Sequence, residues 1–138
     1  MHKYLEIYYF IDKFDFKELS EIKKKIKNKD LRGVNVTLPF KQKIVSNVDI
    51  LINDAKETNS VNTIYLDDQG TVIGENTDVF GLQAAYLKEM DNVANKNALV
   101  IGAGGVSPSV ILSLQKSGVR EISIINRTKE KCIFLKKK

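Results

Sequence analysis

The residues of this chain best suited to chemistry begin with its glycines. Residues 98–110 read ALVIGAGGVSPSV, so four apolar residues run straight into Gly102, followed by Ala103, Gly104 and Gly105. A continuous apolar run bounded by glycines reads as a parallel strand buried on both faces. Beyond it, Val106, Val110, Ile111 and Leu114 keep the spacing of one helical face. Strand, glycine turn and helix in that order make a phosphate cradle. Glycines let the backbone approach a pyrophosphate, and a helix N-terminus offers free N–H groups and positive partial charge. The third position of the dinucleotide fingerprint is Ser107, still small enough for close helix–strand packing. A tight strand-to-helix turn without a ligand is the competing reading.

One strand later the sequence speaks to the choice of nucleotide. Gly118 closes the helix, residues 120–125 (REISII) read as the next strand, and Asn126, Arg127 and Thr128 follow. NAD binders place an acid here for the ribose hydroxyls, whereas an arginine accommodates a 2′-phosphate. No acid occupies 126–128. Arg127 offers a planar fork for phosphate and a flat surface for adenine, and Thr128 and Lys131 add a hydroxyl and a charge. A purely structural turn is the alternative, but the position favours NADP.

Lys41 and Asp78 are candidates of another kind. Lys41 follows Thr37, Leu38, Pro39 and Phe40, and Pro39 suits the first position of a helix. Ile44, Val48, Leu51 and Ile52 fit that helix's buried face. Lys41 would then sit in the first turn, where the dipole disfavours a cation and lowers its pKa, as a general base requires. Among 19 lysines, an ordinary surface lysine is the competing reading. Asp78 opens a predicted helix running to about residue 90, with 79, 82, 86, 87 and 90 as its buried stripe. Capping alone would explain that carboxylate. Asn62, inside a predicted strand over 60–66, is either a turn-facing amide or a ligand contact, and spacing favours the first.

These residues need a scaffold. Residues 4–11 (YLEIYYFI) read as a strand, and Leu19, Ile22 and Ile26 mark a helix from Phe14 to about residue 28. A short strand follows within 31–36, and 60–66 with 71–74 form a hairpin about a turn at 67–70. The polar stretch 91–97 divides the chain into 1–92 and 93–138. With 138 residues, 43% apolar and 28% charged, the class is a globular α/β protein. No apolar run reaches the ~18 residues of a membrane span, and no signal peptide is visible, so cytoplasm is expected. One cysteine, Cys132, excludes an internal disulfide and a cysteine-based metal cluster, and no metal is expected. His2, at the terminus, offers no base for a serine or cysteine mechanism. The net charge of +5 is diluted by acids except at 23–25 and 136–138, which read as a solvated helix face and tail. That distribution suits phosphorylated small ligands rather than nucleic acid.

Five stretches together resemble the shikimate dehydrogenase family, NADP-dependent oxidoreductases of aromatic amino-acid (chorismate) biosynthesis. They are residues 35–41 (NVTLPFK), 60–63 (SVNT), 76–78 (NTD) with Gly81, 102–105 (GAGG) and 126–128 (NRT). The resemblance implies interconversion of 3-dehydroshikimate and shikimate, with Lys41 and Asp78 as the catalytic pair. It implies that Thr37, Lys41, Asn62 and Asp78 bind substrate. Gly102, Ala103, Gly104 and Gly105 would hold the pyrophosphate, and Asn126, Arg127, Thr128 and Lys131 the adenosine 2′-phosphate. The implied fold is a substrate-binding α/β domain over 1–92, lacking its first strand, then the first half of a Rossmann NADP-binding domain over 93–138. Nothing before Tyr4 matches the family's Ser-x-Ser-Pro segment, whose serines hold the substrate carboxylate, and the family continues well past the NRT turn. A fragment of impaired activity is therefore expected. The alternatives are a non-catalytic remnant that at most binds NADP, and a quinate/shikimate dehydrogenase. The quinate enzymes that use NAD carry an acid near 126–128. No membrane partner is expected, and a homodimer is left open.

Overall fold

The computed structural model describes residues 19–87, 89–90 and 92–136. The strand read at 4–11, residues 14–18 of the first helix, His2 and residues 137–138 lie outside them. Leu19, Ile22 and Ile26, at helical spacing, form the buried side of α1 (Leu19–Lys27). The chain then enters β1 (Gly33–Asn35), turns through 38–42 into a short 3₁₀ segment (Lys43–Asn47), and continues as β2 (Ile50–Leu51) and α2 (Asp54–Thr58). The hairpin follows as β3 (Thr63–Leu66) and β4 (Val72–Glu75). Asp67 shapes its turn, accepting the N–H groups of Gln69 and Thr71 on one carboxylate oxygen. These strands make one sheet in the order β1-β3-β4-β2, with β3 antiparallel to both neighbours and β2 parallel to β4. Ile26, Ile44, Ala55, Val61, Ile64 and Val72 pack together as its core.

The rest of the chain is a strand–helix–strand unit entered through a short helix. α3 (Asp78–Leu82) widens into a π turn (Gln83–Leu87). Then come β5 (Asn97–Ile101), α4 (Ser107–Lys116), β6 (Glu121–Ile125) and α5 (Lys129–Lys136). β5 and β6 pair in parallel from Asn97↔Glu121 to Ile101↔Ile125. Gly118, at φ 76°, reverses the chain after α4, a backbone region that glycine enters without a Cβ penalty. The mixed α/β fold expected from the sequence is the one observed.

Four expectations are corrected. The helix predicted after Pro39 is absent: Leu38–Pro39 is a cis bond within a turn, and only the 3₁₀ segment follows. Ser46 bonds the Lys43 carbonyl and the Asn47 side chain, local contacts that compete with a helix, while Ile50 and Leu51 pair with β4. Lys41 is thus in no helical first turn, and the dipole argument made for it loses its basis. The helix over 78–90 is also interrupted. A π turn adds a residue to the repeat, so the stripe rotates outward, leaving Tyr86 and Met90 exposed at 67% and 58%. Nor is β5 buried on both faces. Val100 is buried, but Leu99 and Ile101 are exposed, because among the described residues the two-stranded sheet has nothing over that face. The lysine run at 23–25 is only partly a solvated face, since Lys23 pairs with Asp49 and Lys24 with Glu21.

Candidate active site

The turn at 38–42 and the start of α3 meet around one ion pair. Lys41 Nζ donates to Asp78 Oδ2 at 2.8 Å, with the two side chains 12% and 20% exposed. The lysine is fixed from its backbone, because its carbonyl accepts the Val61 N–H at 2.8 Å. Asp78 is the first residue of α3, yet its carboxylate makes no cap; Oδ1 accepts a hydrogen bond from Asn62 Nδ2 at 2.8 Å. Capping therefore does not account for this aspartate. Asn62 precedes β3 and is wired into the sheet, giving its N–H to the Glu75 carbonyl and accepting the Val36 N–H on its own carbonyl. Its amide group also meets Thr77: Nδ2 donates to Thr77 Oγ1 and Oδ1 accepts the Thr77 N–H, both at 3.0 Å. Asn62 is thus a turn-facing amide that at the same time grips the carboxylate. Thr37 stands exposed just after β1, and its side chain makes no hydrogen bond among the described residues.

Lys41 is the one member of this cluster that lines a cleft of about 450 Å³ running to the glycine turn, with Leu38 and Pro39 beside it and Gly104, Gly105 and Lys131 on the other wall. Gly102 has φ 113° and needs glycine for its backbone. Gly105 lies under the Leu38 side chain, which a Cβ would meet. Gly104 has neither reason: nothing stands within 4 Å of where its Cβ would be. An open approach to the backbone at that point is what a pyrophosphate requires, so the residues fit a dinucleotide in space. The donors are less free than the sequence implied. The Ala103 N–H is taken by Asn126 Oδ1 at 3.2 Å and the Gly104 N–H by Ser107 Oγ at 2.9 Å. Asn126 also donates to the Thr128 carbonyl, so its side chain braces the glycine turn against the NRT turn. Arg127 and Lys131 are exposed, with no ion pair among the described residues, which leaves both charges for an anion. Cys132 is partly buried, as expected of a bland thiol. A larger groove of about 940 Å³, between α4, β6 and α5, contains none of Lys41, Asn62 or Asp78.

Sequence reasoning missed a buried polar seam beside the cluster. Asn76, 2% exposed, donates to the Ser60 carbonyl at 2.9 Å and meets Ser109 Oγ at 3.0 Å, while its Oδ1 accepts the Asp78 N–H at 3.0 Å. Serines on the buried side of α4 were the available signal, since a helix packed on apolar neighbours rarely spends its inner face on hydroxyls.

Comparison with known proteins shows the family. Residues 2–64 match the model of the shikimate dehydrogenase substrate binding domain, and residues 84–138 that of shikimate / quinate 5-dehydrogenase. A shikimate dehydrogenase (NADP(+)) of Pelagibacter ubique is 42% identical over 123 residues, which are 89% of this chain and 46% of that protein. The crystal structure of shikimate dehydrogenase from Aquifex aeolicus superposes with a TM-score of 0.81 at 37% identity, over 90% of this chain and 46% of that one. Shikimate 5-dehydrogenase from Listeria monocytogenes, in complex with shikimate and NAD, gives a TM-score of 0.72 at 32% identity, over 86% and 43%. The chain spans less than half the length of the curated relatives it matches. By both of its halves, this chain belongs to the shikimate dehydrogenase family.

Proposed function

We propose that the chain binds shikimate or 3-dehydroshikimate beside Lys41 and Asp78, binds NADP against the glycine turn, and interconverts the two substrates. The observation that carries this reading is the Lys41–Asp78 pair, held by Asn62, whose lysine lines a cleft with the glycine turn on its far wall. The Lys41 ammonium is placed to give a proton to a carbonyl oxygen, and the pair takes the hydroxyl proton in the reverse direction. Asp78, steadied by Asn62, keeps the ammonium aimed, and Thr37 and Asn62 orient the substrate hydroxyls. The nicotinamide, when bound, supplies or accepts the hydride at the substrate carbon. Gly102, Ala103, Gly104 and Gly105 would lie along the pyrophosphate, with Arg127, Thr128 and Lys131 on the 2′-phosphate and Asn126 bracing them.

The division of the chain into a substrate part, 1–92, and a nucleotide part, 93–138, belongs to this proposal; two separate sheets support it. So does a cytoplasmic site of action, where reduced nicotinamide nucleotides are regenerated, with a homodimer as the assembly to test. A small-molecule partner fits better than nucleic acid, since Lys23, Lys27 and Lys116 are already paired with acids of this chain. Among the described residues, no helix is long and apolar enough to cross a membrane. Mixing the chain with shikimate and NADP⁺ and following NADPH absorbance tests the proposal. The expected result is turnover that Lys41→Ala removes. NADPH binding without turnover would leave only the nucleotide site, and neither would refute the reading.

A further inference from the structure

The helix that starts at the glycine turn also reaches the segment carrying Asp78. α4 has three buried serines, 107, 109 and 113. Ser107 serves the turn itself, taking the Gly104 N–H and donating to the Gly102 carbonyl. The other two face the start of α3. Ser109, fully buried, meets both ends of the Asn76 amide, at 3.0 Å to Nδ2 and 3.2 Å to Oδ1. Ser113, 1% exposed, lies 3.2 Å from the Val79 carbonyl and also bonds the Ser109 carbonyl within α4. Ser109 thus holds the Asn76 side chain, whose Oδ1 takes the Asp78 N–H, and Ser113, one helical turn on, holds the Val79 carbonyl just past the carboxylate.

We propose that Ser109 and Ser113 are positioning residues that set the orientation of Asp78 toward Lys41. The proposal rests on the reading of Asp78 as the substrate-side carboxylate. α3 cannot set that orientation alone. It has five residues and no side-chain cap at Thr77, and a helix so short draws its stability from what it packs on. Its packing partner is α4. Alanine at 109 and 113 would favour the helix and bury no polar group, so the hydroxyls act through their contacts outside α4. Ser117 supplies the contrast. It makes the same bond to the carbonyl four residues back, at 2.8 Å, and has no partner on another element among the described residues.

Amide hydrogen exchange by NMR and ligand titration on the full chain test this. In Ser109→Ala/Ser113→Ala, the Asp78 amide should exchange at least tenfold faster while Tyr65 and Ile73, paired across β3 and β4, keep their rates. The dissociation constant for shikimate should rise about tenfold, with that for NADP⁺ changing less than twofold. Ser117→Ala should move none of these. Wild-type values for both the Asp78 amide and shikimate in the double variant would overturn the proposal. If the double variant loses the β3–β4 protection, Ser109→Ala alone is read by the same criteria. If the wild-type chain binds no shikimate, the functional reading falls, and the Asp78 amide decides the positioning claim by itself: faster exchange supports it and unchanged exchange overturns it.

Discussion

Lys41 and Asp78 are 37 positions apart in the chain and 2.8 Å apart in space. Each alone had a bland explanation, as a surface lysine and a helix cap. Their meeting was legible only through resemblance, because pairs brought together by tertiary packing leave no spacing signal. Both charges are largely withdrawn from water, so each depends on its partners. Asp78 has a second one in Asn62, whereas Lys41 has only the carboxylate among the bonds described at its Nζ. Lys41→Ala should therefore leave the fold intact and lower turnover about 10²- to 10⁴-fold, the range of a lost proton donor, in a steady-state assay. In the turn after β6, Arg127 carries the choice of nucleotide in the proposed function. Arg127→Asp should shift the ratio of NADP⁺ to NAD⁺ affinities at least tenfold toward NAD⁺ by fluorescence titration. An unmoved ratio would remove Arg127 from the 2′-phosphate site.

At the scale of elements, α1 is held to the sheet by charge as well as by its apolar face. Asp49 accepts from Lys23 and Lys27 and from the Val72 N–H at 3.0 Å. The Lys23 bond first, then the Val72 amide, keep its carboxyl well below its ordinary 3.8. A depressed carboxyl stabilises the fold above its unfolded pKa, near 4, and loses that contribution as pH falls toward the folded value. The unfolding midpoint should therefore drop as pH goes below about 4, with a smaller drop in Asp49→Asn. That substitution should itself cost about 1 kcal/mol at neutral pH in denaturant unfolding. Lys116 links α4 to α2 through Asp54 and Glu57, the Asp54 bond doing most to hold its ammonium above the ordinary 10.5. Its contribution is present at neutral pH and fades only as pH rises through that raised value. Elements with strong periodicity were readable: α1, the hairpin, and the β5–α4–β6 unit. The helices expected after Pro39 and through Met90 were not, since pairing of β2 with β4 and a π turn overrode an apolar pattern that also fits a helix.

For the whole molecule, the arrangement of two sheets with a cleft between them is what gives the residues a common purpose. The bare face of β5 and β6, with Leu99 56% and Ile101 81% exposed, is the feature the sequence misread, because an apolar run reports the burial a strand is suited to and not what covers it. The order of motifs along the chain was legible, whereas the seam from Ser109 to Asn76 was not: the serines of α4 hint at a polar inner face, but their spacing does not say which residue they meet. The central claim is that a proton-handling pair from one part faces a nucleotide in the other across that cleft. Mapping of backbone amide shifts tests it most directly. NADP⁺ should move the amides of residues 102–105 and 127–131, and shikimate those of Asn62, Thr77 and Asp78. Shifts from the two ligands confined to the α4–α5 groove, or scattered with no change at Asp78, would contradict the account.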